Sequence, residues 1–466
     1  MSRKLLFRSA IVAALGGLLF GFDTAVISGA EQTLQELYQA TYETMASYMA
    51  NLGFLGSTGF WHGCTISSAL IGTIIGAWLA SKPSDSIGRR KTLIFLAILY
   101  FVSAVGSGIA WGWLSFVISR FIGGLAVGGS SVVGPIYIAE ISPARSRGRL
   151  VALMQFNIVF GILLAFLSNY LIGRMELGAI EWRWMFGVEA FPAVAFFFLL
   201  FGNPRSPRWL FTKGRGDEAR STMESLGAEN IDQEIRDIQE SIDLEHHTMK
   251  EPFFRRKYMT PILLAFLIAA FNQLSGINAL LYYSARIFQM AGASADFARL
   301  QSVIVGATNL VFTILAMIVI DHFGRKKLML VGSIGYIISL SSVAWAFHTD
   351  AGGSRVLLSF LLFIASHAFG QGAVIWVFIS EIFPNRVRAK GQALGSFTHW
   401  FMCAAISWTF PMMVGKADAP GANQAGARVF AFYAGMMVLQ LLFVLFMMPE
   451  TKGVPLEQIQ KKLGIE

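Results

Sequence analysis

Charge is scarce in this sequence. Only 14% of the 466 residues are Asp, Glu, Lys or Arg, against roughly 25% in a soluble domain. Cysteine is scarcer still. Cys64 and Cys403 are the only two, and they lie in apolar stretches of opposite halves of the chain. A disulfide framework is therefore excluded as a reading, and both are taken as small buried hydrophobes. His62, His246, His247, His322, His348 and His367 show no metal-ligand spacing, and no nucleophile stands with a base. The expectation is no metal, no cofactor and no enzymatic chemistry.

What fills the chain is apolar: 55% of residues are hydrophobic, and they come in long runs. Residues 187–202 carry one acid, and residues 427–448 carry one charge, Arg428. Runs near twenty residues match a bilayer core about 30 Å thick at 1.5 Å per helical residue. The hydropathy pattern predicts twelve spans, at 9–29, 60–80, 92–110, 114–138, 149–171, 185–203, 259–285, 298–320, 328–348, 355–382, 391–413 and 428–448. The fold class read from this is an all-α membrane protein. The N-terminal segment resembles a signal peptide but has no small-residue cleavage site, and its run continues through Asp23. It is expected to be a retained first span.

A formal net charge of +9 could suggest a nucleic-acid partner, but the cations sit in the short connections between apolar runs. Four alternate loops hold thirteen of them: Lys82, Arg89, Arg90, Lys91; Arg145, Arg147, Arg149; Arg325, Lys326, Lys327; Arg386, Arg388, Lys390. The opposite connections hold Arg174, Arg183, Arg286, Arg299, Arg355, Lys416 and Arg428, and the first of them, 31–58, has no Lys or Arg. The positive-inside rule then places both termini and segment 204–258 in the cytoplasm. The expected partner is a lipid bilayer, with no nucleic acid. That central segment is the one soluble-looking stretch, and Ile231, Ile235, Ile238 and Ile242 give it the narrow apolar stripe of an amphipathic helix.

The sequence also repeats itself. Asp85-Ser-Ile-Gly88-Arg89-Arg90-Lys91 returns as Asp321-His-Phe-Gly324-Arg325-Lys326-Lys327, offset by 236 residues. Tyr137-Ile-Ala-Glu140-Ile-Ser-Pro143-Ala-Arg145-Ser-Arg147 returns as Phe378-Ile-Ser-Glu381-Ile-Phe-Pro384-Asn-Arg386-Val-Arg388, offset by 241. Two motifs at nearly one offset imply two six-helix halves, 1–203 and 259–448, a helical linker at 204–258 and a tail at 449–466. Such repeats let transporters build a midplane site between moving halves. The loop charges Asp85, Arg89, Arg90, Glu140, Arg147, Asp321, Arg325, Glu381 and Arg388 are read as latches on the cytoplasmic side. Topology anchoring alone would not require the acids, yet an acid recurs in every copy.

These motifs, in order from Gly16-Gly17-Leu-Leu-Phe20-Gly21-Phe22-Asp23 to Pro449-Glu450-Thr451-Lys452-Gly453, resemble the sugar porter family of the major facilitator superfamily over nearly the whole chain. Three stretches are most similar to the xylose–proton symporter branch: Asp23–Gly29, Gly63–Gly76 and Ser407–Met413. The resemblance implies the major facilitator fold and proton-coupled uptake, by alternating access, of a pentose or hexose resembling D-xylose. A monomer in a bacterial inner membrane is expected. A passive facilitator and a non-transporting sensor are the alternatives, the sensor disfavoured by a C-terminal tail of only about 18 residues. There are departures. The acid expected after span 6 is Arg205, within Pro204-Arg205-Ser206-Pro207-Arg208. The paired Gln-Gln of span 7 is Asn272-Gln273. Ala373 replaces a helix-breaking proline, and His399 replaces an amide before Trp400.

Asp23 lies in mid-span among Leu18, Leu19, Phe20 and Phe22. A carboxylate at that depth costs roughly 2.5–3.5 kcal/mol even on the mildest scale unless paired or protonated. Arg120 of span 4 is its natural partner. An acid ionised beside Arg and protonated when the pair parts is a proton carrier. The competing reading is a static ion pair, but passive members of the family have no acid here. A sugar needs amides, which donate and accept, and aromatic platforms. Span 7 offers Asn272, Gln273 and Asn278. The resemblance assigns sugar contact to Gln155, Gln273, Asn278 and Trp376, with a lesser role for Asn309. Phe20, Tyr282, His399 and Trp400 are expected to line the site. Gly276, between the span-7 amides, is expected to let that helix unwind.

Overall fold

The computed structural model describes every residue except 1, 144–145, 229, 249–251, 385, 417–419, 455 and 466. The described residues are helical, with no strand among them. Ten of the twelve spans are single long helices or a helix with one break: Ser2–Leu37, Thr58–Leu79, Arg89–Gly108, Trp113–Ile141, Arg147–Gly173, the pair Glu181–Gly187 and Ala190–Leu200, Ala295–Phe323, Arg325–His348, Arg388–Val414 and Ala422–Phe446. Among the described residues, eleven stretches are long and apolar enough to cross a membrane. The twelfth, Arg388–Val414, has the length, but Thr398, His399, Ser407 and Thr409 make it less apolar. This is a multi-pass membrane protein.

Its outward faces are what a bilayer requires. Val331, Ile334 and Ile338 form a stripe at helical spacing and are 65%, 50% and 56% exposed. Such a stripe would be a liability in water and is at ease in lipid. Inside, helices meet backbone to backbone through glycine. A Cβ at Gly124 of span 4 would overlap the Ala69 carbonyl of span 2, the close approach that membrane helices use in place of a hydrophobic drive.

The chain divides into two compact units. One comprises Met1–Val26, Ser68–Ser168 and Met175–Lys250; the other Ile27–Ser67, Asn169–Arg174 and Glu251–Glu466. The second unit thus includes the far ends of spans 1 and 2. Span 1 continues to Leu37, eight residues past its expected end.

The remaining two spans, 7 and 10, depart from a regular α-helix. Span 7 stops at Leu274 and resumes at Ile277, with Gly276 between them at φ +83°. Only glycine adopts that conformation without strain, and the side of Tyr433 packs against it. Span 10 was expected to lose its break with the proline. It runs unbroken from Ser354 to Ile382, with Ala368–Gly372 forming a π-helical turn within it. A π turn is frequent at functional sites. Here Gly370 meets Gly332 of span 9 almost backbone to backbone.

Candidate functional site

In the first unit the two intramembrane charges meet. Arg120 Nη1 donates to Asp23 Oδ1 at 2.5 Å, and Nη2 donates to Oδ2 at 3.2 Å and to the Asp23 carbonyl at 2.9 Å. Asp23 is 2% exposed and Arg120 3%. The guanidinium also faces the Phe186 ring, 5.2 Å from its centroid. A forked, desolvated pair of this kind is strong while both partners are charged and costly once one is neutralised. Glu189 is buried in the same unit, and its Oε1 has no hydrogen-bond partner among the described residues. Gln155 and Phe20 are half-buried in spans 5 and 1.

In the second unit the span-7 amides form one connected cluster. Gln273 Nε2 donates to Asn272 Oδ1 at 2.9 Å, and Asn278 Nδ2 donates to Gln273 Oε1 at 2.7 Å. Positions 273 and 278 would share a face only loosely on a regular helix; the break at Gly276 brings them together. Gln273 Nε2 also lies 3.3 Å from the His399 ring nitrogens. The His399 ring then stands 5.2 Å from Trp376 and 5.0 Å from Trp400, centroid to centroid. Amides next to tilted aromatic rings supply both recognition elements that a sugar needs. Trp376 is 39% exposed, so part of its ring is free to meet a ligand. Tyr282 is buried in the short helix Ile277–Tyr282. Asn309 in span 8 pairs with Thr313 of its own helix at 3.5 Å.

The latch motifs form bonds in both copies. Arg89 donates from Nε to Glu140 Oε1 at 3.2 Å and from Nη1 to Asp85 Oδ1 at 2.9 Å. Arg325 Nη2 donates to Glu381 Oε1 at 2.9 Å. Arg388 Nε reaches the Phe383 carbonyl at 3.4 Å. Arg147 lines a cavity of about 330 Å³ together with Glu140, Met223, Leu226 and Ile238. Arg90 Nε is buried without a hydrogen-bond partner among the described residues. The Asp321 and Ile242 side chains lie outside the described residues.

The structure adds a third repeat that the sequence reading missed. Ser206 Oγ donates to Glu140 Oε2 at 2.5 Å, and Thr451 Oγ1 donates to Glu381 Oε2 at 2.6 Å. Pro204-Arg205-Ser206 is therefore the counterpart of Pro449-Glu450-Thr451. In the C-terminal copy Glu450 caps span 9, accepting from the backbone N–H of Arg325 at 3.0 Å and of Lys326 at 3.1 Å. Burial alone would raise the Glu450 carboxyl, but N–H donation from Lys452, Arg325, Lys326 and Thr451 outweighs it and holds it below its ordinary value. Arg205 cannot cap a helix this way and pairs with Glu218 of the linker at 3.1 Å instead.

Two charge assignments are corrected. His62, read as uninformative, lies 2.5 Å from Glu31. Arg286, read as a loop charge, is 1% exposed within the helix Ser284–Met290 and also bonds Glu31. Glu31 lies past the expected end of span 1, where a charge needs no buried partner.

Comparison with known proteins agrees with this architecture. The family described as "Sugar (and other) transporter" matches residues 9–463. The D-xylose–proton symporter of Escherichia coli K12 is 39% identical over 482 residues, covering 98% of this chain and 95% of its own. The arabinose–proton symporter of Bacillus subtilis is 34% identical, covering 96% and 93%. The solved xylose transporter XylE from E. coli, in a partially occluded inward-open conformation, superposes with a TM-score of 0.83 at 36% identity, covering 97% of this chain and 100% of that one. The chain belongs to the sugar transporter family of the major facilitator superfamily, and is a transporter rather than an enzyme.

Proposed function

We propose that this protein is a proton-coupled monosaccharide symporter that works by alternating access. The observation that carries the reading is the buried, forked Asp23–Arg120 pair inside an apolar span. A neutral carboxyl at Asp23 releases Arg120; an ionised one holds it. Proton and sugar binding then favour the same conformational exchange, which is the thermodynamic content of symport.

The span-7 amides with His399, Trp376 and Trp400 are proposed sugar contacts, and so are Gln155 and Phe20. Asn309 and Tyr282 support them. The moving bodies are the two sequence repeats, 1–203 and 259–448, joined by 204–258. The loop charges latch the cytoplasmic side. Relatives named for D-xylose, arabinose and glucose support a pentose or hexose as the substrate, with D-xylose first to test. The membrane is a bacterial inner membrane with both termini cytoplasmic, and one chain suffices.

Uptake of a labelled sugar panel into proteoliposomes, with and without a pH gradient, is the test. Accumulation only with the gradient supports symport. Equal uptake in both conditions identifies a passive facilitator, and binding without uptake a sensor.

A further inference from the structure

The second buried ion pair has no part in the mechanism above. Glu31 sits eight residues beyond Asp23 on span 1, about 12 Å along the helix at 1.5 Å per residue. His62 sits near the start of span 2, at the end facing segment 38–57. Both positions are at the opposite end of their helices from the Asp85–Arg90 loop. Arg286 belongs to the last helical piece of span 7.

Arg286 Nη1 donates to Glu31 Oε1 at 2.8 Å. Its Nη2 donates to Gln35 Oε1 at 2.7 Å and to the Gly415 carbonyl, past the end of span 11, at 2.6 Å. His62 Nε2 approaches the same Glu31 Oε1 at 2.5 Å. Tyr42, also buried, bonds Thr65 Oγ1 at 2.9 Å and lies 3.5 Å from His62 Nδ1. Glu31 and Arg286 are each 1% exposed, and His62 is fully buried. Next to them span 2 docks on span 11: Trp408 Nε1 donates to the Phe60 carbonyl at 2.9 Å, and Gly63 leaves room for the Trp408 backbone.

Two features argue against a purely structural pair. First, Glu31 Oε2 and Arg286 Nε are buried with no hydrogen-bond partner among the described residues. Buried polar groups in a settled core are nearly always bonded, and a buried ion pair short of its bonds is weak support for stability. Second, the pair joins the two sequence repeats: Glu31 and His62 come from the N-terminal repeat, Arg286 and Gly415 from the C-terminal one. Any separation of the repeats on this side must break it.

We propose that Glu31, His62 and Arg286 form an ion-pair latch at the end of the helices opposite the Arg89 and Arg325 latches, closing that side of the carrier and parting each time it opens there. The proposal rests on the transport reading above. A latch lowers the population open on its own side, and apparent affinity on that side falls by the same fraction.

The experiment is sided transport by the full chain, in right-side-out and inside-out membrane vesicles, for Glu31→Gln and for the Glu31→Gln/Arg286→Gln double variant. The first keeps the shape and removes the charge; the second also removes the cation left unpaired. The latch predicts a severalfold lower KM for sugar offered from the latch side and a higher KM from the other side. A structural role would change protein yield or kcat without moving the two KM values in opposite directions. Wild-type transport with unchanged KM values in both variants overturns the latch alone. A wild-type chain that transports none of the monosaccharides overturns the latch and the transport reading together.

Discussion

Replacing Asp23 with Asn removes one charge and little else. The Asp23 carbonyl still accepts from Arg120 Nη2, a contact of 2.9 Å, and the amide oxygen can still accept from Nη1. What is lost is the compensation of Arg120, which is 3% exposed. Removing one partner of a buried pair costs on the order of 3–5 kcal/mol, and the retained acceptors place the expected loss at or below the low end. The variant should therefore fold, with a lower melting temperature. Its transport should change in kind. A gradient of two pH units supplies about 2.7 kcal/mol per proton, enough for a roughly hundredfold accumulation at one proton per sugar. With Asp23→Asn, permanently neutral, the accumulation ratio should fall to about one. Equilibrium sugar binding should persist, because the amide fills the same space. Counterflow should persist too, since exchange needs no net proton movement. All three are measured in proteoliposomes. Accumulation well above unity in Asp23→Asn would refute the assignment and move attention to Glu189, whose buried Oε1 lacks a partner among the described residues.

Three further outcomes are expected. Gln273→Ala and Trp376→Ala should each weaken sugar binding by tenfold to a hundredfold, about 1–3 kcal/mol for the lost contacts; calorimetric titration giving wild-type affinity in both would displace the site. Glu450 is held below the ordinary carboxylate value of 4.5, so its stabilising contribution is complete above that pH and disappears as pH falls through the lowered value. The melting-temperature difference between wild type and Glu450→Gln should therefore be largest near neutrality and vanish in acid, and a difference that grew in acid would contradict the capping role. Tags at either terminus and at position 230 should be reachable only from the cytoplasm, and a tag near position 40 only from outside; an outward N-terminus would reverse the orientation.

Much of this protein was legible as a string. Apolar runs of bilayer length set the twelve spans because hydrocarbon leaves backbone groups no partner but the helix itself. The two offset motifs pointed to a duplication, and a lone acid at bilayer depth pointed to Arg120 because no other partner was affordable there. The span-7 amides were named one by one. Their union into a single hydrogen-bonded cluster came only with the turn at Gly276, because five residues of regular helix would hold Gln273 and Asn278 apart. The equivalence of Ser206 and Thr451 was hidden because two residues that differ in type share only a hydroxyl and a place. Glu31, His62 and Arg286 were the hardest to see. Each reads alone as a loop charge or an idle histidine, and their meaning lies in a contact across 255 residues of sequence. Periodicity reports what a helix buries. Only the packed structure decides what it is buried against.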